Sequence, residues 1–98
     1  MKVILSARAR QDLQDIGDFI ASDSPRRART FVIELQRACL ELAEYPHRFP
    51  KIEWYGDGEH RRRVHGNYLI IYLVEASTIK VSRVISASVD IGSLGEGD

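Results

Sequence analysis

The fold is decided by the stretch HRRRVHGNYLIIYLVEASTIKVSRVIS, which occupies residues 60–86. It contains three runs of strand-favouring residues, separated by short breaks at Gly66-Asn67 and Ala76-Ser77. Two-residue breaks of this composition are typical of β-hairpins. The stretch therefore predicts a meander of three strands, at residues 60–65, 68–75 and 78–86.

The middle strand is apolar at nearly every position of 68–74, so we expect it to be central, with both faces covered. In the last strand, alternation places four residues on one face: Ile79, Val81, Arg83 and Ile85. An arginine that is half-buried among apolar side chains needs a carboxylate partner. We expect Glu53 or Asp90 to supply it.

The first half of the chain predicts one short strand and two amphipathic helices. Val3-Ile4-Leu5 favours a strand, and Ser6 is suited to cap the helix that follows. The apolar face of this helix has steps of three and four, at Ala9, Leu13, Ile16 and Ile20. Its outer side is predicted to be acidic, with Asp12, Asp15 and Asp18.

The second helix is predicted to begin at Ser24-Pro25 and to end before Pro46. Its expected core residues are Ala28, Phe31, Val32, Leu35, Cys39 and Leu42. From residue 46 to 59 the chain mixes aromatic residues with proline and glycine. That mixture predicts an ordered loop, held in place by Phe49 and Trp54.

The predicted element order is therefore β-α-α-β-β-β. A helical hairpin packed on one face of a mostly antiparallel sheet buries both apolar helix faces. We predict an α+β fold with a single domain at residues 1–91. The polar, glycine-rich segment 92–98 predicts a flexible C-terminal tail.

The composition restricts the classes of function. A chain of 98 residues suffices for one compact domain. Lys plus Arg equal Asp plus Glu, 14 against 14, which argues against bulk binding to a polyanion. The single cysteine, Cys39, cannot form an internal disulfide, and no apolar run approaches the roughly 20 residues that span a bilayer. These features predict a cytoplasmic protein that has a buried Cys39 and does not contact the membrane.

The sequence contains no GxGxxG, P-loop, cysteine pair or HExxH, so we predict no cofactor. Its histidines are His47, His60 and His65. His60 and His65 are an odd number of positions apart on one predicted strand, so they point to opposite faces. They are badly placed to share a metal ion, and we predict no metal site.

The three arginines at residues 61–63 are the part of the sequence that indicates most about possible chemistry or binding. Alternation sends Arg61 and Arg63 to one face and Arg62 to the other. The run is either a solvated edge strand that blocks aggregation, or a docking surface for an acidic segment or a phosphate backbone. Arg26 and Arg27, at the positive end of the second helix, are likewise either solvated or opposed to an acidic partner.

Short motifs follow one another in order along residues 3–91. They are Ser6 after the first strand, Ala9-x-x-Asp12-Leu13-x-x-Ile16, Ser24-Pro25, Leu42 to Pro46, Arg62 followed by Gly66, Ile70 and Tyr72, and Arg83-Val84 with Asp90. This series resembles the RelE/ParE toxin superfamily, and most closely its ParE branch. The resemblance implies a β-α-α-β-β-β fold, a ParD-like antitoxin partner and inhibition of DNA gyrase by binding. It also implies a hetero-oligomer that contacts operator DNA only through the antitoxin.

The end of the last strand bears on the type of activity. RelE-like relatives cleave mRNA on the ribosome, and they tend to place catalytic groups there. RNA cleavage needs a base, an acid and cations, whereas Ser86-Ala87-Ser88-Val89 carries no charged or titrating side chain. ParE relatives often have His-Gly-Arg-like residues at this point, so the chain departs from that pattern too. We expect a binding inhibitor of gyrase rather than an enzyme.

Two other hypotheses stay open. A ribosome-dependent endoribonuclease would use Arg61, Arg63, Arg83 and His60 or His65. A non-toxic relative would serve only as an antitoxin-binding co-repressor. Exposure and charge single out the residues predicted to bind a partner: Arg26, Arg27, Arg61, Arg62, Arg63, Ser86, Ser88 and Asp90.

Overall fold

The computed structural model describes residues 1–88 and has the predicted order of elements. These are β1 (Lys2–Leu5), α1 (Ala7–Ala21), α2 (Pro25–Leu40), a short 3₁₀ helix (Glu41–Ala43), β2 (Glu59–His65), β3 (Tyr68–Val74) and β4 (Thr78–Ser86). The strand order in the sheet is β1-β4-β3-β2; β1 runs parallel to β4, and the other pairs are antiparallel. The predicted α+β fold is confirmed.

Some predictions concern residues beyond 88 and lie outside the described part of the chain. They are the role of Asp90, the domain boundary at residue 91 and the tail at 92–98. Within residues 1–88, no helix is both long and apolar enough to cross a membrane.

Both helices begin at the predicted serines. The Ser6 hydroxyl accepts a hydrogen bond from the Ala9 N–H, and the Ser24 hydroxyl accepts one from the Arg27 N–H. Pro25 lies in the first turn of α2, where a backbone N–H would have no helical partner. Local side-chain chemistry therefore sets where each helix begins.

The main core lies between the helical hairpin and one face of the sheet. It buries Ala9, Leu13, Ile16, Phe31, Leu35, Cys39, Leu42, Ile70, Tyr72, Ile79, Val81 and Val84. Val32 was predicted as core but is only half-buried. It packs over Gly17 of α1, so closely that a Cβ added to Gly17 would lie 3.2 Å from Val32 Cγ2. Cys39 is buried as predicted, and burial raises the pKa of its thiol to about 12. The thiol is therefore protonated and unreactive at neutral pH.

A second, smaller core lies on the opposite face of the sheet. There Ile52 and Tyr55, from the loop before β2, pack with three strand residues: Leu69, Ile71 and Ile85. Phe49 packs against the main core as predicted. The prediction for Trp54 is wrong, because 58% of this residue is exposed. The Tyr55 N–H bonds to the Ile52 carbonyl, so the chain turns here and leaves Trp54 on the outer side.

A β-bulge in β4 changes which residues share a face. Tyr72 pairs with Val81 whereas Ile71 pairs with Arg83, so Ser82 is an extra residue on β4. An inserted residue reverses the alternation beyond it. Val81 and Val84 consequently face the main core, and Ile85 lies in the second core. The predicted common face of Ile79, Val81, Arg83 and Ile85 is therefore wrong.

Candidate partner-binding surface

Strand β2, which carries the arginine run, lies at one edge of the sheet. It pairs with β3 along its whole length, from Glu59 opposite Val74 to His65 opposite Tyr68. This unbroken register gives the predicted alternation, with Arg61 and Arg63 on the helix side and Arg62 on the other side. The three arginines therefore have different surroundings.

The exposure assumed for Arg61 is wrong, because this side chain is buried. Its Nε donates to Glu59 Oε2 at 2.7 Å, and its Nη1 donates to the carbonyls of His47 and Phe49. The guanidinium thus fastens the loop that precedes β2 onto the strand. Its donors are directed inward, and its role in partner binding stays a prediction.

Arg63 is also engaged within the fold. Its Nη1 donates to the Ala38 carbonyl of α2 at 2.8 Å and lies 3.0 Å from Glu41 Oε1. The guanidinium carbon lies 5.1 Å from the centre of the Phe49 ring, within the range of a cation–π contact. Arg63 therefore connects the end of the helical hairpin to β2.

Arg62 differs from its two neighbours because its side chain is exposed. Only its backbone has a described bond on this edge, from its N–H to the Pro50 carbonyl. Across residues 1–88, no carboxylate forms an ion pair with it. Of the three arginines, Arg62 is the one whose charge is available to a partner.

The histidines lie apart, as predicted for residues on opposite faces of β2. His60 packs against Tyr55 in the second core, with ring centres 5.1 Å apart, whereas His65 lies 6.1 Å from Phe31 in the main core. Burial lowers the pKa of His60, and its Nδ1 is buried without a hydrogen-bond partner among the described residues. His47 Nδ1 contacts Glu59 Oε2 at 2.8 Å. In residues 1–88, no three metal-binding side chains come together.

Asp12 pairs with Arg83, which contradicts its predicted place on the outer side of α1. Asp12 is buried, and its Oδ2 accepts from Arg83 Nε and from the Val84 N–H, both at 2.9 Å. Its Oδ1 accepts from Arg83 Nη2 at 3.3 Å. Asp12 thus accepts the hydrogen bond of the Val84 N–H, which lies on β4 beyond the end of β1. It is also the carboxylate partner of Arg83 in place of the predicted Glu53, which is exposed.

The structure does not bring the hypothetical nuclease residues into one site. Arg61 and Arg63 of β2 donate to backbone carbonyls. Arg83 is on β4, which is two strands away from β2, and it donates to Asp12 of α1. His65 lies beside Phe31 and 3.9 Å from Glu34. Their donors are directed at different internal partners.

Arg26 and Arg27 are both exposed in the first turn of α2. Arg27 contacts Glu34 at 2.9 Å and stacks on Phe31 with its guanidinium carbon 5.0 Å from the ring centre. At the end of β4, the Ser86 and Ser88 hydroxyls lie 2.9 Å apart at the surface. Among the ion pairs of residues 1–88, no carboxylate joins one of these residues to an arginine of β2. Glu34, which contacts Arg27, also lies 3.9 Å from His65 of β2.

A surface on the outer side of α2 was not predicted from the sequence. Ile33 and Leu40 are exposed there, one heptad apart, among arginines at helical spacing: Arg26, Arg29 and Arg37. Ile33 also borders a shallow apolar groove whose floor includes Gly17 and Val32. The heptad spacing of two apolar residues outside the core face could have revealed this surface.

We expect Glu59 to stabilise the fold at neutral pH and to lose this effect in acid. The hydrogen bond from Arg61, followed by that from His47, lowers the pKa of the Glu59 carboxyl below its usual 4.5. A carboxyl with a lower pKa in the folded state favours folding above the unfolded pKa, and this contribution is lost as the pH falls through the folded pKa. Urea unfolding of wild type and Glu59→Gln, measured over a pH series, should show a stability difference that shrinks in acid. A difference independent of pH would contradict this expectation.

Comparison with known proteins agrees with the ordered motifs. The sequence model of a family described as ParE toxin of type II toxin-antitoxin system, parDE, matches residues 3–91. A solved chain described as chromosomal ParDE TA system from P. aeruginosa has a TM-score of 0.74 and 17% identity, covering 88% of this chain and 95% of that chain. No curated protein matches the sequence.

Proposed function

Because the chain belongs to the ParE toxin family of type II toxin-antitoxin systems, we propose that it inhibits DNA gyrase by binding. A ParD-like antitoxin neutralises it in a hetero-oligomeric complex. The observation that carries this proposal is the family match over residues 3–91. In the same proposal the complex works in the cytoplasm, and the toxin reaches operator DNA only through the antitoxin.

The internal bonds of the arginines support binding rather than catalysis. A ribonuclease must direct cations at the phosphate as charge develops in the transition state. Arg61, Arg63 and Arg83 instead donate to carbonyls and carboxylates of the chain itself. Redirecting them toward RNA would require breaking bonds that hold the loop, the helices and β4 together.

The outer surface of α2 supports a protein partner of acidic character. Arg26, Arg29 and Arg37 surround exposed Ile33 and Leu40, and these three arginines have no ion pair within residues 1–88. A helix with an apolar stripe flanked by carboxylates would complement this arrangement. An antitoxin segment of that kind would cover the apolar residues and neutralise the charges.

A supercoiling assay with purified gyrase tests the proposed target. We expect the protein to reduce supercoiling of relaxed plasmid and to increase linear DNA, because a trapped gyrase–DNA complex holds the DNA cut. The matched control is the same protein mixed beforehand with the antitoxin, which should restore supercoiling. Full supercoiling at large toxin excess, with no rise in linear DNA, would overturn the gyrase proposal.

Two further measurements separate the alternatives. Primer extension on translated mRNA after induction should show uncut message, whereas cuts that depend on the ribosome would favour the nuclease hypothesis. Expression without the antitoxin should arrest growth. Harmless expression of a folded protein would instead favour the co-repressor hypothesis.

A further inference from the structure

The loop before β2 pairs with only the first half of that strand. The Ile52 N–H donates to the His60 carbonyl at 2.8 Å, and the Arg62 N–H donates to the Pro50 carbonyl at 3.1 Å. In a regular antiparallel ladder, the residue at position 50 would also donate its N–H to the Arg62 carbonyl. Proline has no N–H, so Pro50 ends the pairing at this point.

Beyond Pro50 the edge of β2 is open. The backbone groups of His60 and Arg62 point to the loop, so by alternation those of Val64 point the same way, away from β3. The open groups are the Arg62 carbonyl and both the N–H and the carbonyl of Val64; no residue of the described chain bonds to them. The Val64 side chain is 62% exposed.

We propose that this open edge, Arg62 to Val64, receives an extended segment of the antitoxin as an added strand. Unpaired N–H and C=O groups in a row are a template for strand addition, and the side chains beside them select the partner. Arg62 selects a carboxylate, because its charge has no ion pair within residues 1–88. Val64 selects an apolar residue. This inference rests on the proposed function, since it takes the antitoxin as the occupant.

Val64→Pro tests the main-chain part of the proposal. Proline removes the Val64 N–H, which bonds to nothing in the described fold, so the ladder with β3 keeps all its bonds. Val64→Ile is the matched control, because it keeps the N–H, the β-branched shape and the apolar side chain. Isothermal titration with purified antitoxin should show about tenfold weaker binding for Val64→Pro and a near wild-type affinity for Val64→Ile.

Hydrogen exchange of the wild type provides a second measurement that does not depend on the folding of a variant. The Val64 amide should exchange rapidly in the free protein and become protected in the antitoxin complex. Arg62→Glu should weaken binding more than Arg62→Gln, because it replaces an attraction by a repulsion.

Equal affinity of the two Val64 variants, or a Val64 amide that stays unprotected in the complex, would overturn the strand-addition proposal while leaving the antitoxin partnership intact. In that case Arg62 only protects the edge against aggregation. If wild type itself does not bind the antitoxin, the proposed function fails, and this inference fails with it.

Discussion

Replacement of Asp12 by alanine is expected to lower the free energy of unfolding by about 3 kcal/mol. Two buried or half-buried donors, from Arg83 and Val84, bond to this carboxylate, and the exposed Arg8 Nε lies 3.5 Å from its Oδ1. Arg83 would lose both of its hydrogen bonds to Asp12, and the buried Val84 N–H would lose its acceptor. Removing one partner of a buried ion pair is costly because the other group remains desolvated.

Urea denaturation followed by circular dichroism would measure this effect. Asp12→Asn should be less damaging than Asp12→Ala, because the amide oxygen can still accept from the Val84 N–H. Asp15→Ala is the matched control on the same helix, since Asp15 is exposed and bonds only to Gln11 in the described structure. Equal, small losses for Asp12→Ala and Asp15→Ala would show that the buried pair contributes nothing to stability.

Replacement of Arg61 by alanine is expected to lower the free energy of unfolding by about 3 kcal/mol, while Arg62→Ala should change it by no more than about 0.5 kcal/mol. Arg61 is buried, and its donors satisfy the His47 and Phe49 carbonyls and the Glu59 carboxylate. Arg62 is exposed and its side chain has no such role. The two neighbours therefore form a matched pair with the same chemistry and different burial.

Arg61→Lys separates geometry from charge. A lysine keeps the positive charge, but its ammonium cannot reproduce the fixed fork that reaches two carbonyls and a carboxylate. We expect thermal or urea unfolding to show a loss between those of wild type and Arg61→Ala. If Arg61→Ala and Arg62→Ala unfold at the same urea concentration, the other contacts of the loop hold it without Arg61, among them the packing of Ile52 and Tyr55 in the second core and the backbone bond from Ile52 to His60.

Because Arg61 and Arg63 have internal bonds whereas Arg62 is exposed, the three arginines at residues 61–63 cannot be tested as one unit. Reversing the charge of all three arginines at residues 61–63 would also remove the internal bonds of Arg61 and Arg63. A loss of antitoxin binding in such a variant would then report unfolding as much as the loss of a docking surface. Substitution of Arg62 alone leaves those bonds in place, and it isolates the charge that a partner can reach.

The sequence by itself determined the order of elements, both helix starts and the three-stranded meander. These features depend on neighbours in the chain: a serine cap three residues before its N–H donor, apolar residues at steps of three and four, and two-residue turns. The burial of Ala9, Leu13, Ile16, Leu35 and Cys39 follows from the same short-range periodicity, whereas Val32, on the same predicted face, is only half-buried. Alternation along β2 likewise separates Arg62 from Arg61 and Arg63.

Only the tertiary structure decided which charges are buried and what they bind. Asp12 and Arg83 are 71 residues apart, so no local pattern can pair them. The bulge at Ser82 shifts the alternation of β4, and the Arg61 bonds depend on where a distant loop lies. Pro50 has no N–H to donate to the Arg62 carbonyl, and the edge at Arg62 and Val64 is open. This consequence is visible only in the folded chain, where the loop lies against β2. A buried polar group must find a partner wherever the folded chain brings one, and sequence distance carries no information about that place.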